Sequence, residues 1–224
     1  NRIVAAAYGL LDEVNIDVPV EHVSLTTNGH FNYGPGREAD DYSTRLIGDA
    51  LLALISHAVG CALGRYSLDA AGLILADQGD SFETFLERVP DARFLPDRDN
   101  VIPIVDGDWF EDDIVARFRE WLNVAFGGEH LQENWQYIEE TLGKSVRQYF
   151  VKDFYTDHVK RYKKRPIYWL FASPKGTFNA LIYLHRYTPS TAGTVLHDYV
   201  LPFLTKLETE LGQQEHLTVT ADTP

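Results

Sequence analysis

Between Tyr42 and Leu63 the chain repeats apolar residues at four-residue spacing twice over. Leu46, Ala50, Leu54 and Ala58 form one row, and Ile47, Leu51, Ile55 and Val59 form the next. Two adjacent rows of this kind give an α-helix a wide apolar face, and that face has to be covered by the rest of the protein. Gly64 suits the end of such a helix. The chain has the material for a core: of its 224 residues 45% are apolar and 24% charged, a balance that excludes disorder over most of the length. The length fits one large domain or two small ones.

Other segments are read against this helix. Asn1 to Val14 has helical spacing with Asn1 as a cap, and Val18 to Thr27 has extended character. Asn28 to Gly36 reads as a loop. Ala71 to Ala76 reads as a short strand or buried connector, and Asp77 to Asn100, with Pro90 and Pro96, as loop-rich. Val101 to Val105 is a short apolar segment. Glu111 to Phe126 carries Ile114, Phe118, Trp121, Leu122 and Ala125 on one face. Glu129 to Leu142 and Lys144 to Tyr162 follow as helices. The last of these has Val146, Phe150, Phe154, His158 and Tyr162 on its buried row, and Lys144, Gln148, Lys152, Thr156 and Lys160 on a solvated, positive one. Ile167 to Ala172 and Thr177 to Tyr187 form a hairpin across Ser173-Pro174-Lys175-Gly176, where Pro second and Gly fourth suit a type I turn. Ser190 to Leu211 is a last helix, with a frayed tail after Gly212. The expected class is α+β: helix-rich, with a small antiparallel sheet that includes a hairpin near 166–187. An acidic helix-rich subdomain, 1–104, precedes a helical subdomain with the basic hairpin, 105–224.

No run of about 18 apolar residues is present, so no transmembrane helix and no membrane partner are expected. No signal peptide is visible. The single cysteine, Cys61, excludes an internal disulfide and a cysteine-built zinc site, which fits a cytoplasmic location. Methionine is absent and the chain opens at Asn1, so it is expected to be an excised or processed piece.

Charge is segregated along the chain. The net charge is −13, which argues against non-specific nucleic-acid binding by the chain as a whole. Residues 1–140 hold 9 basic and 26 acidic side chains, residues 141–190 hold 10 and 2, and the remainder hold 1 and 5. Half of all Lys and Arg thus fall within fifty residues. Either this stretch is a footprint for an anion or it pairs internally with the acidic part.

The familiar catalytic patterns fail. Gly143-Lys144-Ser145 resembles the end of a P-loop, but the required earlier glycine is Ile138. The eight histidines, His22, His30, His57, His130, His158, His185, His197 and His216, have no zinc-helix spacing. The acids Asp106, Asp108, Glu111, Asp112 and Asp113 lack EF-hand spacing and suit the front of a helix. No lysine has an acid two residues before it, which excludes a PD-(D/E)xK nuclease in this segment. There is no G-x-S-x-G elbow, and Cys61 sits on a buried helix as inert core. No catalytic and no metal residue is assigned.

The densest feature is Lys160-Arg161-Tyr162-Lys163-Lys164-Arg165, with five cations in six residues, followed by Pro166-Ile167-Tyr168-Trp169. Cations suit a helix C-terminus, but five exceed that role, and phosphate binding gains from several. Tyr162 and Tyr168 are candidates for stacking on bases, with Trp169 expected in the core.

The run Arg165-Pro-Ile-Tyr-Trp-Leu-Phe-Ala-Ser-Pro-Lys-Gly-Thr-Phe-Asn-Ala-Leu-Ile-Tyr-Leu-His-Arg-Tyr187 resembles the carboxy-terminal half of large adenine-specific DNA methyltransferases. The resemblance is to the PglX type of the BREX phage-defence systems, with kinship to Eco57I-like restriction-modification enzymes. Ala58-Val-Gly-Cys-Ala-Leu-Gly-Arg-Tyr-Ser-Leu-Asp69 with Gly72-Leu-Ile-Leu-Ala76 adds to it, as does Asn1-Arg-Ile with Ala7-Tyr-Gly-Leu10. The resemblance implies methyl transfer from S-adenosylmethionine to adenine N6 by the parent. This chain has neither the Asn-Pro-Pro-Tyr-type tetrapeptide nor a strand-linked Gly-x-Gly cofactor loop. The catalytic domain is therefore expected upstream, with the cofactor there and none in this segment, which alone should not be catalytic. The segment is expected to be a target-recognition portion that holds double-stranded DNA while the adenine is extruded. Its phosphate-contacting candidates are Lys144, Arg147, Lys152, Lys160, Arg161, Lys163, Lys164 and Arg165, with Lys175 and Arg186 further out. The alternative is an assembly module whose acidic part docks the parent's own catalytic domain or other defence proteins without touching DNA.

Overall fold

The computed structural model describes residues 2–221, with side chains described as far as Gln214, so the expected Asn1 cap and His216 lie outside the described residues. The architecture is α+β. The chain forms two compact units, 1–53 and 54–224, with helix α3 (Ala39–Ala62) running through the division.

The first unit is built from short pieces. Helix α1 (Arg2–Ala7) stops well before Val14, because Gly9 turns left-handed (φ +69°) and Leu10 donates its N–H back to the Ala5 carbonyl at 2.8 Å. The stretch expected to be extended contains a single helical turn at Val20–His22. The expected loop after it holds helix α2 (Gly29–Tyr33), which Asn28 caps by accepting from the His30 N–H at 3.1 Å. Gly29 is required there, since a Cβ would lie 2.7 Å from the Tyr42 ring.

Helix α3 does not bury its whole apolar face. Leu51, Ile55, Ala58 and Val59 are buried, whereas Ile47 and Ala50 are exposed. Among the described residues α3 is the one helix whose length and composition suit a membrane span. Its second half is core: Ile55, Ala58, Val59, Cys61 and Ala62 are all buried.

In the second unit, helix α4 (Phe82–Arg88) occupies part of the stretch read as loop. A capping box starts it, in which Ser81 accepts from the Thr84 N–H and Thr84 accepts from the Ser81 N–H. Strand β1 (Ile102–Pro103) pairs antiparallel with β3 (Asn179–Tyr183), and β2 (Tyr168–Ala172) pairs with the other edge of β3, giving the order β1-β3-β2. The register sets Ile102 opposite Leu181 and Leu170 opposite Leu181. The boundary expected near 104 falls inside this unit, beside β1. The β2–β3 turn closes as the sequence expects, with Gly176 donating to Ser173 at 2.9 Å.

Helices α5 (Ile114–Phe126) and α6 (Leu131–Leu142) lead to α7 (Val146–Tyr149), which runs through a π-helical stretch, Phe150–Phe154, into α8 (Tyr155–Arg161). A four-residue row drifts by about 40° per step around an α-helix. The wider turns reverse that drift, so Val146, Phe150, Phe154 and His158 all stay buried. A second such stretch, Val195–Val200, joins α9 (Thr191–Thr194) to α10 (Leu201–Ala221), which continues past Gly212 where fraying is expected.

Strand β3 is buried along its whole length and divides the core in two. On one face Ala180 and Ile182 meet Val101, Val105, Val195, Tyr199 and Phe203. On the other, Tyr183 meets Tyr168 edge-on at 5.5 Å, and Tyr168 stacks on His158 at 4.6 Å. Ring contacts continue through Phe154, Phe150 and Phe118 to Trp121.

Two buried titratable groups give opposed pH dependences. Burial, reinforced by the neighbouring Asp99 carboxylate, pushes Asp97 up to about 7 from 3.8. Between those values the folded chain holds a proton that the unfolded chain has released, so stability falls as pH rises. Burial, with Arg161 nearby, lowers His158 to about 4 from 6.5. There the unfolded chain holds the extra proton, so stability rises with pH across that window. Asp97→Asn should unmask the His158 slope: denaturant midpoints between about pH 4 and 6.5 rise more steeply in the variant than in the parent. Equal slopes would contradict the Asp97 assignment.

Candidate nucleic-acid interface

The candidate surface is the carboxy-terminal end of α8 and the turn after it. Val159 and Tyr155 lie one helical turn apart, as do Lys160 and Thr156, so the helix itself sets these four in two neighbouring rows. After Tyr162 the backbone turns left-handed at both Lys163 (φ 50°) and Lys164 (φ 65°). Lys163 donates its N–H to the Lys160 carbonyl at 3.0 Å, and Lys164 reaches back to the Val159 carbonyl at 2.8 Å. This pair of bonds is a Schellman motif, and it satisfies the last carbonyls of the helix. It also folds the two lysines back beside α8. Tyr155, Thr156, Val159, Lys160, Lys163 and Lys164 line a concavity of about 460 Å³ with a largely apolar floor.

The cations here are free to act. Lys160, Arg161, Lys163, Lys164 and Arg165 are all exposed. Among the described residues the only ion pair any of them makes is the long 3.5 Å contact between Lys160 and Asp157. Lys152, on the wide turn, and Lys175, at the hairpin tip, are also exposed and have no ion pair among the described residues. The positive row Lys144, Gln148, Lys152, Thr156 and Lys160 is exposed throughout, as its spacing implies.

Three expectations change. Arg147 is turned inward: it donates to the Asp113 carboxylate at 2.6 Å and to the Val105 carbonyl at 3.0 Å, and also bonds Asp108. Its charge is committed to Asp113, which caps α5 by accepting from the Val115 and Ala116 N–H groups. Arg186 is buried, and its guanidinium donates to the carbonyls of Leu63 (3.3 Å) and Arg98 (3.0 Å), so it ties two loops together rather than facing an anion. Trp169 is half exposed, at 50%, while its neighbour Tyr168 is buried. Strand alternation sends one in and the other out. Lys144 is exposed but bonded to Asp153 at 2.8 Å.

Sequence reasoning places Thr156 on the positive row but misses Tyr155 and Val159. Their four-residue spacing from the cap carried the signal, but only the reversed turn at Lys163-Lys164 shows that the lysines fold onto them.

The remaining chemical candidates have structural roles. Gly143 is the left-handed residue that ends α6, and Ser145 caps α7 by accepting from the Gln148 N–H, so the Gly-Lys-Ser run is a joint between helices. Burial pushes the Cys61 thiol up to about 12, leaving it protonated and unreactive at neutral pH. Among the described residues no three His, Cys, Asp or Glu side chains form a metal-holding group. The Gly34-Pro35-Gly36 run joins α2 to α3 with no strand leading into it, so these residues do not fit an S-adenosylmethionine loop.

No family model matches the chain. It is 38% identical over 208 residues, 86% of the chain, to the adenine-specific methyltransferase BrxX of Escherichia coli O9:H4 (strain HS). It is 35% identical over 226 residues, 95% of the chain, to the adenine-specific methyltransferase PglX of Lacticaseibacillus casei (strain Zhang). Similarity of this extent is homology, and the chain is related to adenine-specific methyltransferases. Within that class its relatives are of the PglX type found in BREX systems. Each match takes in 17% of the relative's own length, so the chain corresponds to a small part of either protein.

Proposed function

We propose that this chain is the part of a PglX-type adenine-N6 DNA methyltransferase that grips duplex DNA near the target. The observation that carries this reading is the end of α8: five exposed cations in six residues, almost free of ion pairs, in a chain of net charge −13. Elsewhere arginines such as Arg147 and Arg186 are bonded to internal carboxylates and carbonyls. Cations left unpaired beside so many acids suit an external anion, and a phosphate backbone is the polyanion that a methyltransferase meets. S-adenosylmethionine and the transfer step belong, in this reading, to the rest of the longer protein. The purified chain should therefore bind labelled duplex DNA in a salt-sensitive way and transfer no methyl group. Methyl transfer by the chain alone, or duplex binding indifferent to salt, would overturn it.

A second reading has its own observation. In the first unit Ile3 (87% exposed), Tyr8 (77%) and Val4 (60%) present apolar surface to solvent. Such clusters mark protein contacts. This reading makes the unit a docking element for the rest of the methyltransferase or for other defence proteins. Serine at these three positions should then abolish association with the partner while leaving duplex binding unchanged. Association that survives the substitutions would remove it.

A further inference from the structure

Helix ends in this protein that need a positive φ generally use glycine: Gly64 follows α3, Gly127 follows α5 and Gly143 follows α6. The end of α8 differs. Its two consecutive left-handed residues are Lys163 and Lys164, where side chains carry a steric penalty that glycine avoids. Every backbone N–H of the cap from Tyr162 to Arg165 is already bonded to a carbonyl, so the strain does not serve to free a donor. What the arrangement achieves is placement. It brings both lysines into the lining of a largely apolar concavity shared with Tyr155, Thr156, Val159 and Lys160.

From this we infer that the Lys163-Lys164 cap is a sequence-independent anchor for the DNA sugar-phosphate backbone, with the lysines on phosphate and the apolar lining of the concavity against the deoxyribose. The inference rests on the duplex-gripping reading above and narrows it to one contact. The lining carries three lysines, the hydroxyls of Tyr155 and Thr156, and no Asn, Gln or Arg. Lysine is a mobile point charge that suits phosphate oxygens. Fixed, bidentate reading of base edges is mainly the work of Arg, Asn and Gln. The apolar floor favours a ligand with a carbon face beside its charge, as a nucleotide backbone has and free phosphate does not.

The cap offers an unusual test, because glycine should improve the fold and impair the function. In the full chain, Lys163→Gly with Lys164→Gly should raise Tm by about 2–4 °C. The same variant should lower the salt slope of duplex binding by about 1.8 and weaken binding at low salt by roughly tenfold or more, equally on two duplexes of unrelated sequence. Inorganic phosphate at matched ionic strength should displace the duplex no better than chloride. A higher Tm with unchanged binding would overturn the anchor and leave the broader reading standing. Failure of the unaltered chain to bind any duplex would overturn both. Loss on one sequence only would make the cap a base reader, a phosphate-specific effect would make it a free-anion site, and displacement by polyglutamate at matched charge and ionic strength would make it an acidic-peptide site. A lower Tm would mean that the lysines hold the fold. Each of these four results contradicts the inference.

Discussion

Asp113→Ala is expected to destabilise the protein by about 3–5 kcal/mol, enough to unfold much of a marginally stable chain. Three losses combine. The carboxylate accepts the first free N–H groups of α5, from Val115 at 3.0 Å and Ala116 at 2.8 Å, and a lost cap alone costs about 1 kcal/mol. It is also the partner of Arg147, at 2.6 Å, in surroundings that leave Asp113 only 1% exposed. Removing it strands a largely buried guanidinium whose other carboxylate, Asp108, is itself exposed. Asp113→Asn keeps the cap geometry and should cost less, so its own loss reports the ion pair and the gap between the two variants isolates the cap. Denaturant unfolding measures both. A loss below about 1 kcal/mol for Asp113→Ala would mean that Arg147 is not held as described.

Lys160→Glu, Lys163→Glu and Lys164→Glu together are expected to weaken duplex binding by at least about a hundredfold at low salt. The three lysines share one concavity, so the substitution turns a cluster of +3 into one of −3 where phosphate is proposed to sit. Stability should change little, since all three are exposed and the single ion pair lost, with Asp157, is long and solvated. Unaltered unfolding with lost binding separates this result from misfolding. The corresponding change at Arg186 should do the opposite and unfold the chain, because that side chain is buried on the carbonyls of Leu63 and Arg98.

Much of the fold is legible where a period is strong. α3, α5 and α6 follow from apolar spacing, and the hairpin follows from two aromatic-rich runs around Ser173-Pro174-Lys175-Gly176. Helix α4 is hidden because a threonine, Thr84, stands where a capping box more often has Glu or Gln, and because the flanking prolines suggest a loop. The π-helical stretch Phe150–Phe154 leaves no local mark: it holds Phe150, Phe154 and His158 against a core that only the folded chain supplies. The basic surface is legible as a charge excess but not in its membership. Nothing local distinguishes Arg147 or Arg186, bonded inside, from Arg161 or Arg165, exposed outside. Nor does any turn residue announce the reversal at Lys163-Lys164, since the usual signal is glycine and these positions lack it.

The most direct measurement is duplex affinity by fluorescence anisotropy across salt, from about 50 to about 200 mM, for the unaltered chain and the triple glutamate variant. The account predicts a steep fall in affinity with salt for the unaltered chain, and a slope shallower by about 2.7 in the variant, about 0.9 for each lysine. Equal slopes and affinities in the two proteins, with both folded, would mean that the end of α8 does not hold DNA.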